Sequence, residues 1–413
     1  MTIFPPKSGE PNLINLMNLM NSSNFSINAN AAQSVLRPGI IDLGLGYPDP
    51  TLLPTEAMLR ASQRVLTDWG SATLEYGGNA GPGPLLAWLL NHLGELERQA
   101  IGPDEIMVTG GTSQCLDQLL HLFTEPGDVV LVESPTYHLG VRILRDHPVE
   151  LLPVPSDDDG MRIDALQTVL AELHRQGKRA RALYCVPTFN NPTGRSLCLE
   201  RRRQLIDVAA LENILILEDD AYRELNYDGP ALPSLWALAA QMGRRSAVAR
   251  MGSFSKTLAP GLRVGFLTAG REIIQRILDC GVIDSGGGHN HFVALQVAAL
   301  CENGDYAPQV ARLRDAYRTR RDAFDVALRA HLPTGCTWQV PLGGFFLWLR
   351  LPGGMDSAAL LPIANANGMA FIPGARSHLD GSGHDYLRMA FTLFAESQLV
   401  EATRRLGEAI RTL

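Results

Sequence analysis

The sequence predicts an α/β fold in which helices cover both faces of a mostly parallel sheet. Through the middle of the chain, short runs that are largely apolar on both faces alternate with segments of helix length. Strands buried on both faces show this continuous apolar pattern, and parallel neighbours need a helix-sized connection. At 413 residues, 46% of them hydrophobic, the chain is long enough to form two domains.

The first predicted unit is an N-terminal arm, residues 1–45, that contacts the smaller domain or a second subunit. Its first 40 residues are rich in Asn, Ser and small side chains. Four apolar residues recur there at helical spacing: Leu13, Leu16, Met17 and Met20. This pattern favours a short segment that packs against another surface.

The second predicted unit, residues 46–288, is a large domain that carries the sheet. Six apolar runs are its predicted strands: residues 106–109, 129–132, 183–186, 214–217, 248–251 and 264–267. The third unit, residues 289–413, is predicted to be a smaller α+β domain. A long helix begins it, with one apolar face formed by Val310, Leu313, Tyr317, Phe324 and Leu328. The apolar run 343–349 and a final helix over 397–410 complete this unit.

Charge and cysteine content narrow the function classes. The net charge is −7, from 36 basic and 43 acidic residues, and no basic run is long enough to follow a nucleic-acid backbone. We therefore expect neither a nucleic acid nor a membrane as a partner. The six cysteines show no C-x-x-C spacing, which favours a reducing, cytoplasmic setting. The N-terminus lacks the apolar core of a signal peptide, so no export is expected.

The segment 253–265, Ser-Phe-Ser-Lys-Thr-Leu-Ala-Pro-Gly-Leu-Arg-Val-Gly, carries the strongest chemical signal. Lys256 has hydroxyl side chains on both sides, and Arg263 follows seven residues later. A lysine amine can form an imine with an aldehyde, while hydroxyls and a guanidinium can hold a phosphate. Taken alone the pattern is weak, because most lysines beside serines are solvated surface residues.

Further polar residues follow other predicted strands, at the edge where open α/β sheets bind ligands. Residues 110–113, Gly-Gly-Thr-Ser, open a helix and can bind an anion, with a simple capped turn as the alternative. Asn191 lies in the turn Asn-Asn-Pro-Thr-Gly just past a strand, where its amide can donate to an anionic oxygen. Asp219 follows an apolar run, and Tyr222 stands three residues after it. A carboxylate at the end of a buried strand is shielded from water, so it needs a cationic partner such as a pyridinium N–H.

Together these segments resemble the fold-type I pyridoxal phosphate (PLP)-dependent aminotransferases of class I/II, in particular the aminoadipate and aromatic branch. Four motifs occur in the expected order from about Ile41 to the C-terminus: Asn-Pro-x-Gly, Asp-x-x-Tyr, Ser-x-Ser-Lys-x-x-x-Pro-Gly-x-Arg-x-Gly and a late Leu-Arg. The resemblance implies a PLP enzyme that moves an amino group between an α-amino acid and an α-keto acid. It also implies a homodimer with shared active sites.

The resemblance assigns the cofactor contacts residue by residue. Lys256 carries PLP as an imine, Asp219 pairs with the pyridine nitrogen, and Tyr137 stacks on the ring. Asn191 and Tyr222 hydrogen-bond the ring oxygen. The phosphate contacts are Gly111, Thr112, Ser113, Ser253, Ser255, Arg263 and, across the dimer interface, Tyr76.

The same resemblance assigns the substrate contacts. Arg388 in the late Leu-Arg motif binds the α-carboxylate in a bidentate pair, and Gly46 and Asn191 lie on the substrate side. No metal site is expected, since His289 and His291 have no apparent third ligand.

Departures from the family pattern concern the substrate side chain. An arginine is missing near Leu86 and from the arm between residues 25 and 35, and Arg376-Ser377-His378 stand where relatives place an aromatic. We therefore expect a substrate with a neutral or polar side chain rather than a simple dicarboxylate.

Other reactions of a PLP enzyme stay open: elimination or replacement at the β or γ carbon, C–C bond formation, or oxidation. A ligand-sensing regulator domain is disfavoured, because the segment before Ile41 is too short and not basic enough for a DNA-binding module.

Overall fold

A computed structural model describes residues 37–413 of the chain. The predicted helical spacing between Leu13 and Met20 lies outside the described residues. The described strands are β1 Ile41–Asp42, β2 Ile106–Thr109, β3 Val129–Ser134, β4 Glu150–Asp157, β5 Gly160–Met161, β6 Ala180–Cys185, β7 Leu215–Asp219, β8 Val248–Ser253, β9 Gly265–Thr268, β10 Thr337–Trp338, β11 Phe346–Arg350, β12 Met369–Ala370, β13 Ile372–Pro373 and β14 Tyr386–Ala390. The helices are α1 Thr55–Trp69, α2 Gly83–Glu97, α3 Thr112–Phe123, α4 His138–Arg145, α5 Ile163–Arg175, α6 Leu199–Glu212, α7 Leu235–Gln241, α8 Arg271–Leu278, α9 Gly281–Gly286, α10 His291–Glu302, α11 Tyr306–His331, α12 Ser357–Ala366 and α13 Glu396–Thr412.

The largest sheet has eight strands in the order β2-β9-β8-β7-β6-β3-β4-β5. Strands β8, β7, β6, β3 and β4 run parallel, whereas β9 and β5 run antiparallel to their neighbours. All six predicted strands lie in this sheet, with bounds that shift by at most a few residues. The predicted α/β class and the mostly parallel sheet are therefore confirmed.

Helices cover both faces of this sheet, as the continuous apolar strands require. On one face, α5, α6 and α7 bury a cluster that contains Leu166, Leu205 and Trp236. On the other face, α3, α4 and α8 bury a second cluster that contains Leu119 and Ile274. The strands between them are buried at nearly every position. The rigid core thereby fixes the positions of the strand ends.

A second sheet of four antiparallel strands, in the order β10-β11-β14-β13, packs with α11, α12 and α13. The five residues of the predicted α11 face are all buried, so this prediction is confirmed. The predicted final helix is α13, and the run 343–349 supplies most of β11. Arg388 is the central residue of β14, paired with Trp348 on β11. This sheet therefore determines where the Arg388 side chain lies.

Helix α10 packs against α1 and α2 in a separate apolar cluster around Leu89 and Leu295. The boundaries at 45/46 and 288/289 stay predictions. Within residues 37–413, no helix is long and apolar enough to cross a membrane.

Candidate active site

The candidate site lies at the carboxyl edge of the eight-stranded sheet. Strand β7 ends at Asp219, and β8 ends at Ser253, three residues before Lys256. Strand β2 leads through Gly110 and Gly111 into α3. Since parallel strands end at the same edge, the fold gathers polar residues from distant parts of the sequence there.

Lys256 lies in a half-buried position between the two sheets. Its Nζ donates a hydrogen bond of 3.3 Å to the Gly46 carbonyl oxygen and lies 5.4 Å from the ring centre of Phe345. Burial lowers the pKa of the Lys256 ammonium to about 8, opposed by the charge of Asp219 and reinforced by the charges of Arg388 and Arg263. A lysine of this kind releases its proton near neutral pH far more readily than a surface lysine does.

Asp219 is a buried carboxylate with one oxygen still open. Its Oδ2 accepts a 3.0 Å hydrogen bond from the Tyr184 hydroxyl, whereas its Oδ1 has no hydrogen-bond partner. Burial raises the pKa of Asp219 to about 6, opposed by the bond from Tyr184, while Asp220 adds to the rise and Lys256 opposes it. A buried anion with a free acceptor atom is stabilised by a cationic donor, so this oxygen suits a pyridinium N–H.

Three further ring and amide groups surround this carboxylate and lysine. The Asn191 side chain hydrogen-bonds the Tyr222 hydroxyl, and burial raises the pKa of Tyr222 well above its usual range. Burial raises the pKa of Tyr137 to about 12, with Asp219 adding to the effect and Arg388 opposing it. Lys256 Nζ lies 5.8 Å from the Tyr222 ring centre, so these side chains and Lys256 share one electrostatic environment.

Arg388 reaches the site from β14 of the smaller sheet. Its Nη1 donates to Asn191 Oδ1 at 2.9 Å, and its Nη2 donates to the Gly44 carbonyl oxygen at 2.5 Å. The guanidinium also stacks over the Phe346 ring, with its carbon 4.5 Å from the ring centre. Its Nε has no hydrogen-bond partner, and burial lowers the pKa of Arg388 to about 10. A buried cation with a spare donor is suited to binding a carboxylate.

A cradle for an anion forms at the start of α3. Gly111 has φ of +93°, and a side chain at this position would meet the Arg263 guanidinium, 2.9 Å from its Cβ. Arg263 donates to the Gly110 carbonyl oxygen at 3.4 Å. Ser253 Oγ accepts from the Ser255 N–H at 3.0 Å. Free N–H groups at a helix start, a guanidinium and hydroxyls form a phosphate site, and Thr112 and Ser113 occupy the first two positions of the helix.

Tyr76 does not lie with the other predicted phosphate contacts, since it is 88% exposed. Its neighbours Gly77 and Gly78 pack against the loop that joins α9 to α10. Gly288 N–H donates to the Gly78 carbonyl oxygen at 3.1 Å, and Gly77 lies against the His291 ring. The Tyr76 segment is thus held firmly at its base while its ring faces outward.

Sequence reasoning missed several residues of the site. Tyr184, which donates to Asp219, lies inside an apolar strand where its hydroxyl gives no local signal. Phe345 and Phe346 follow Gly343 and Gly344 at the start of β11, and only the packing of the second sheet places them beside Lys256 and Arg388.

The arrangement fits pyridoxal phosphate on two observations. The unpartnered Asp219 Oδ1 offers the acceptor that a pyridinium N–H requires. Gly111 and Arg263, beside the α3 start, offer the room and charge that a phosphate requires. Lys256 is the candidate lysine between these two parts of the site.

Comparisons with known proteins agree with this geometry. The sequence pattern of the family "Aminotransferase class I and II" matches residues 38–406. An aromatic-amino-acid aminotransferase 1 of Thermococcus litoralis is 33% identical over 90% of this chain and 88% of its own length. A 2-aminoadipate transaminase of Thermus thermophilus is 34% identical over 91% of each chain. The crystal structure of LysN, an alpha-aminoadipate aminotransferase of Thermus thermophilus complexed with N-(5'-phosphopyridoxyl)-L-leucine, is 32% identical with a TM-score of 0.82, over 91% of this chain and 93% of that chain.

The chain therefore belongs to the class I and II aminotransferase family and has its fold-type I architecture. It is a PLP-dependent transferase that moves an amino group between α-amino acids and α-keto acids. The family, the fold, the activity and the cofactor predicted from the sequence are confirmed.

Proposed function

We propose that Lys256 holds the cofactor covalently and moves the α-proton of the substrate. When bound, PLP supplies an electron sink for the substrate's α-carbon. The observation that carries the proposal is the unpartnered Asp219 Oδ1, on a buried carboxylate that interacts electrostatically with the Lys256 amine. Asp219 keeps the ring nitrogen protonated, and the low pKa of Lys256 lets its neutral amine accept a proton at Nζ.

The remaining contacts hold and orient the two ligands. Tyr137 stacks on the ring, and Asn191 and Tyr222 hydrogen-bond its oxygen. The phosphate is bound by Gly111, Thr112, Ser113, Ser253, Ser255 and Arg263. Arg388 binds the α-carboxylate, with Gly46 and Asn191 beside it. Arg388 is supported by its buried position, its stacking on Phe346 and its spare Nε donor.

We further propose that the preferred substrate has a neutral or polar side chain rather than a second carboxylate. Aromatic rings line the pocket: Tyr137, Tyr222, Phe345 and Phe346 surround Lys256 and Arg388. Ser377, which stands where relatives place an aromatic, accepts at its carbonyl from Thr136 N–H at 2.9 Å, directly before Tyr137. Leu86 packs in the cluster around α1, α2 and α10, so the proposal rests on the aromatic lining and Ser377. Burying a second carboxylate without a paired cation costs several kcal/mol.

Half-reactions without a keto acid test this substrate class. Leucine, methionine and phenylalanine should convert the bound cofactor to its amine form at least about tenfold faster than aspartate, glutamate and aminoadipate, since an unpaired buried charge costs more than about 1.4 kcal/mol. The change in visible absorbance in a stopped-flow instrument follows each conversion. Fast conversion by glutamate or aminoadipate alone would contradict the proposed side-chain preference.

We propose a homodimer in which Tyr76 of each subunit reaches the phosphate of the other site. Three apolar side chains near this segment and on α9 are largely exposed: Leu74, Tyr76 and Val282 at 71%, 88% and 70%. Large exposed apolar side chains grouped in this way favour burial against a second copy.

We also propose a cytoplasmic location, which rests on the cysteine pattern and the family resemblance.

Sedimentation at assay concentration tests the dimer. A dimer is expected for the wild type, and Tyr76→Phe should keep the dimer while weakening PLP binding about tenfold, because one hydrogen bond to a charged phosphate is lost. A fully active monomer would contradict shared sites.

A further inference from the structure

The segment 186–197, here called the Asn191 loop, is held by two buried charged side chains that have no assigned role in the reaction. Glu133 is the fifth residue of β3 and is 4% exposed, and Arg202 on α6 is 0% exposed. Glu133 accepts hydrogen bonds from donors of the loop, and Arg202 donates hydrogen bonds to acceptors of the loop. Buried charges are costly unless fully hydrogen-bonded, so their placement needs an explanation.

Glu133 binds the start of the loop through one oxygen. Its Oε2 accepts from the Val186 N–H at 2.9 Å and from Asn190 Nδ2 at 3.0 Å. Asn190 in turn accepts, at Oδ1, from both the N–H and the hydroxyl of Thr193, each at 3.1 Å. The first asparagine of the Asn-Asn-Pro turn therefore ties the turn to β3, which leaves the second, Asn191, to face Arg388.

Arg202 binds both ends of the same loop. Its Nη2 donates to the Pro187 carbonyl oxygen at 2.6 Å and to Thr188 Oγ1 at 3.0 Å, and its Nε donates to the Leu197 carbonyl oxygen at 2.8 Å. A guanidinium presents several donors in a rigid plane, which suits it to fixing several carbonyl groups at once.

We propose that Glu133 and Arg202 are positioning residues that hold the Asn191 loop, so that Asn191 meets both Arg388 and the cofactor ring. The proposal rests on the proposed roles of Asn191 and Arg388. Glu133 also lies near the end of β3, four residues before Tyr137. The carboxylate that holds the Asn191 loop is therefore close in sequence to the residue proposed to stack on the cofactor ring. Loss of the clamp should disturb carboxylate binding without removing any group that touches the ligands.

Glu133→Gln is the main test, because it keeps the shape of the side chain and removes its charge. Burial raises the pKa of Glu133 to about 7, so the assay is run at about pH 8, where the carboxylate is ionised. The matched control is Glu105→Gln at the amino end of β2, at the opposite edge of the sheet. Glu105 is also a buried carboxylate that accepts from a backbone N–H, that of Gly102 at 2.8 Å, and from an arginine, Arg245.

The readouts are the Kd of the PLP enzyme for 3-phenylpropanoate, an unreactive carboxylate, and the Tm of each variant. Both variants should lower the Tm, but only Glu133→Gln should also raise the Kd, by roughly tenfold, since charge-assisted hydrogen bonds are weakened. A Kd for Glu133→Gln within twofold of that for Glu105→Gln would overturn the positioning role.

Arg388→Ala tests the proposed carboxylate site itself, and Thr193→Val replaces Glu133→Gln if that variant does not fold. Arg388→Ala should raise the Kd strongly, and an unchanged Kd there would overturn the proposed carboxylate site and the clamp that rests on it. A strong effect of Arg388→Ala with none of Glu133→Gln would overturn the clamp alone. If Glu133→Gln does not fold, Thr193→Val removes one hydrogen bond to Asn190 and should raise the Kd about threefold. A wild-type Kd in that variant would overturn the proposal.

Discussion

Lys256→Ala is expected to lower the rate of amino-group transfer by roughly three orders of magnitude or more, because the variant loses both the covalent anchor and the base at Nζ. Among the described residues, Lys256 is the half-buried lysine whose amine has a lowered pKa, and the Asp219 carboxylate interacts with it. Stopped-flow absorbance of the PLP enzyme mixed with leucine measures the effect.

Lys178→Ala is the control for this change. Lys178 is exposed and pairs with Glu150 at 2.6 Å on the surface, so its loss should leave the rate unchanged. Wild-type turnover in Lys256→Ala would refute the proposed role of this lysine.

Asp219→Asn should lower the rate by about two orders of magnitude, the effect of losing one preorganised electrostatic partner. The substitution keeps the shape of the side chain and an acceptor for Tyr184, but it removes the charge that holds the ring nitrogen protonated. Steady-state kcat with the preferred amino acid measures the loss. Tyr184→Phe, which removes only the hydrogen bond to Asp219, should cost about tenfold.

The pH dependence gives Asp219 a second readout. Burial raises the pKa of Asp219 to about 6, and the cationic ring would lower it again. The acidic decline of the wild-type rate should therefore be centred below about pH 6. The carboxylate must be charged to act, and it is protonated below its pKa. Asp219→Asn should lack this decline, and retention of the same acidic limb would assign it to another group.

The sequence predicts the large sheet well because its strands carry a local signal. The runs from 106–109 to 264–267 are largely apolar on both faces, and such runs form buried strands. The clear exception is Arg250 in β8, which pairs with Asp220 at 2.8 Å. Strand β4 is less visible, since Pro153 and Pro155 interrupt the pattern inside it. The antiparallel direction of β9 is set by its partners β2 and β8, and no local residue encodes it.

The site shows the same division between local and long-range information. Lys256, Asp219 and Asn191 stand in short motifs at strand ends, so a sequence pattern is enough to select them. Tyr184 and Phe345 act through packing between distant segments, and their own neighbourhoods contain no polar pattern. Glu133 and Arg202 are recognisable only once the loop they hold is folded.

The central proposal, that Lys256 carries the cofactor, is tested by mapping the modified lysine. The sequence contains three lysines, Lys7, Lys178 and Lys256, so borohydride reduction of the PLP enzyme followed by peptide mass spectrometry gives an unambiguous answer. We expect the phosphopyridoxyl group on the peptide that contains Lys256, with one group per chain. A label on Lys7 or Lys178, or no covalent label on an active enzyme, would contradict it.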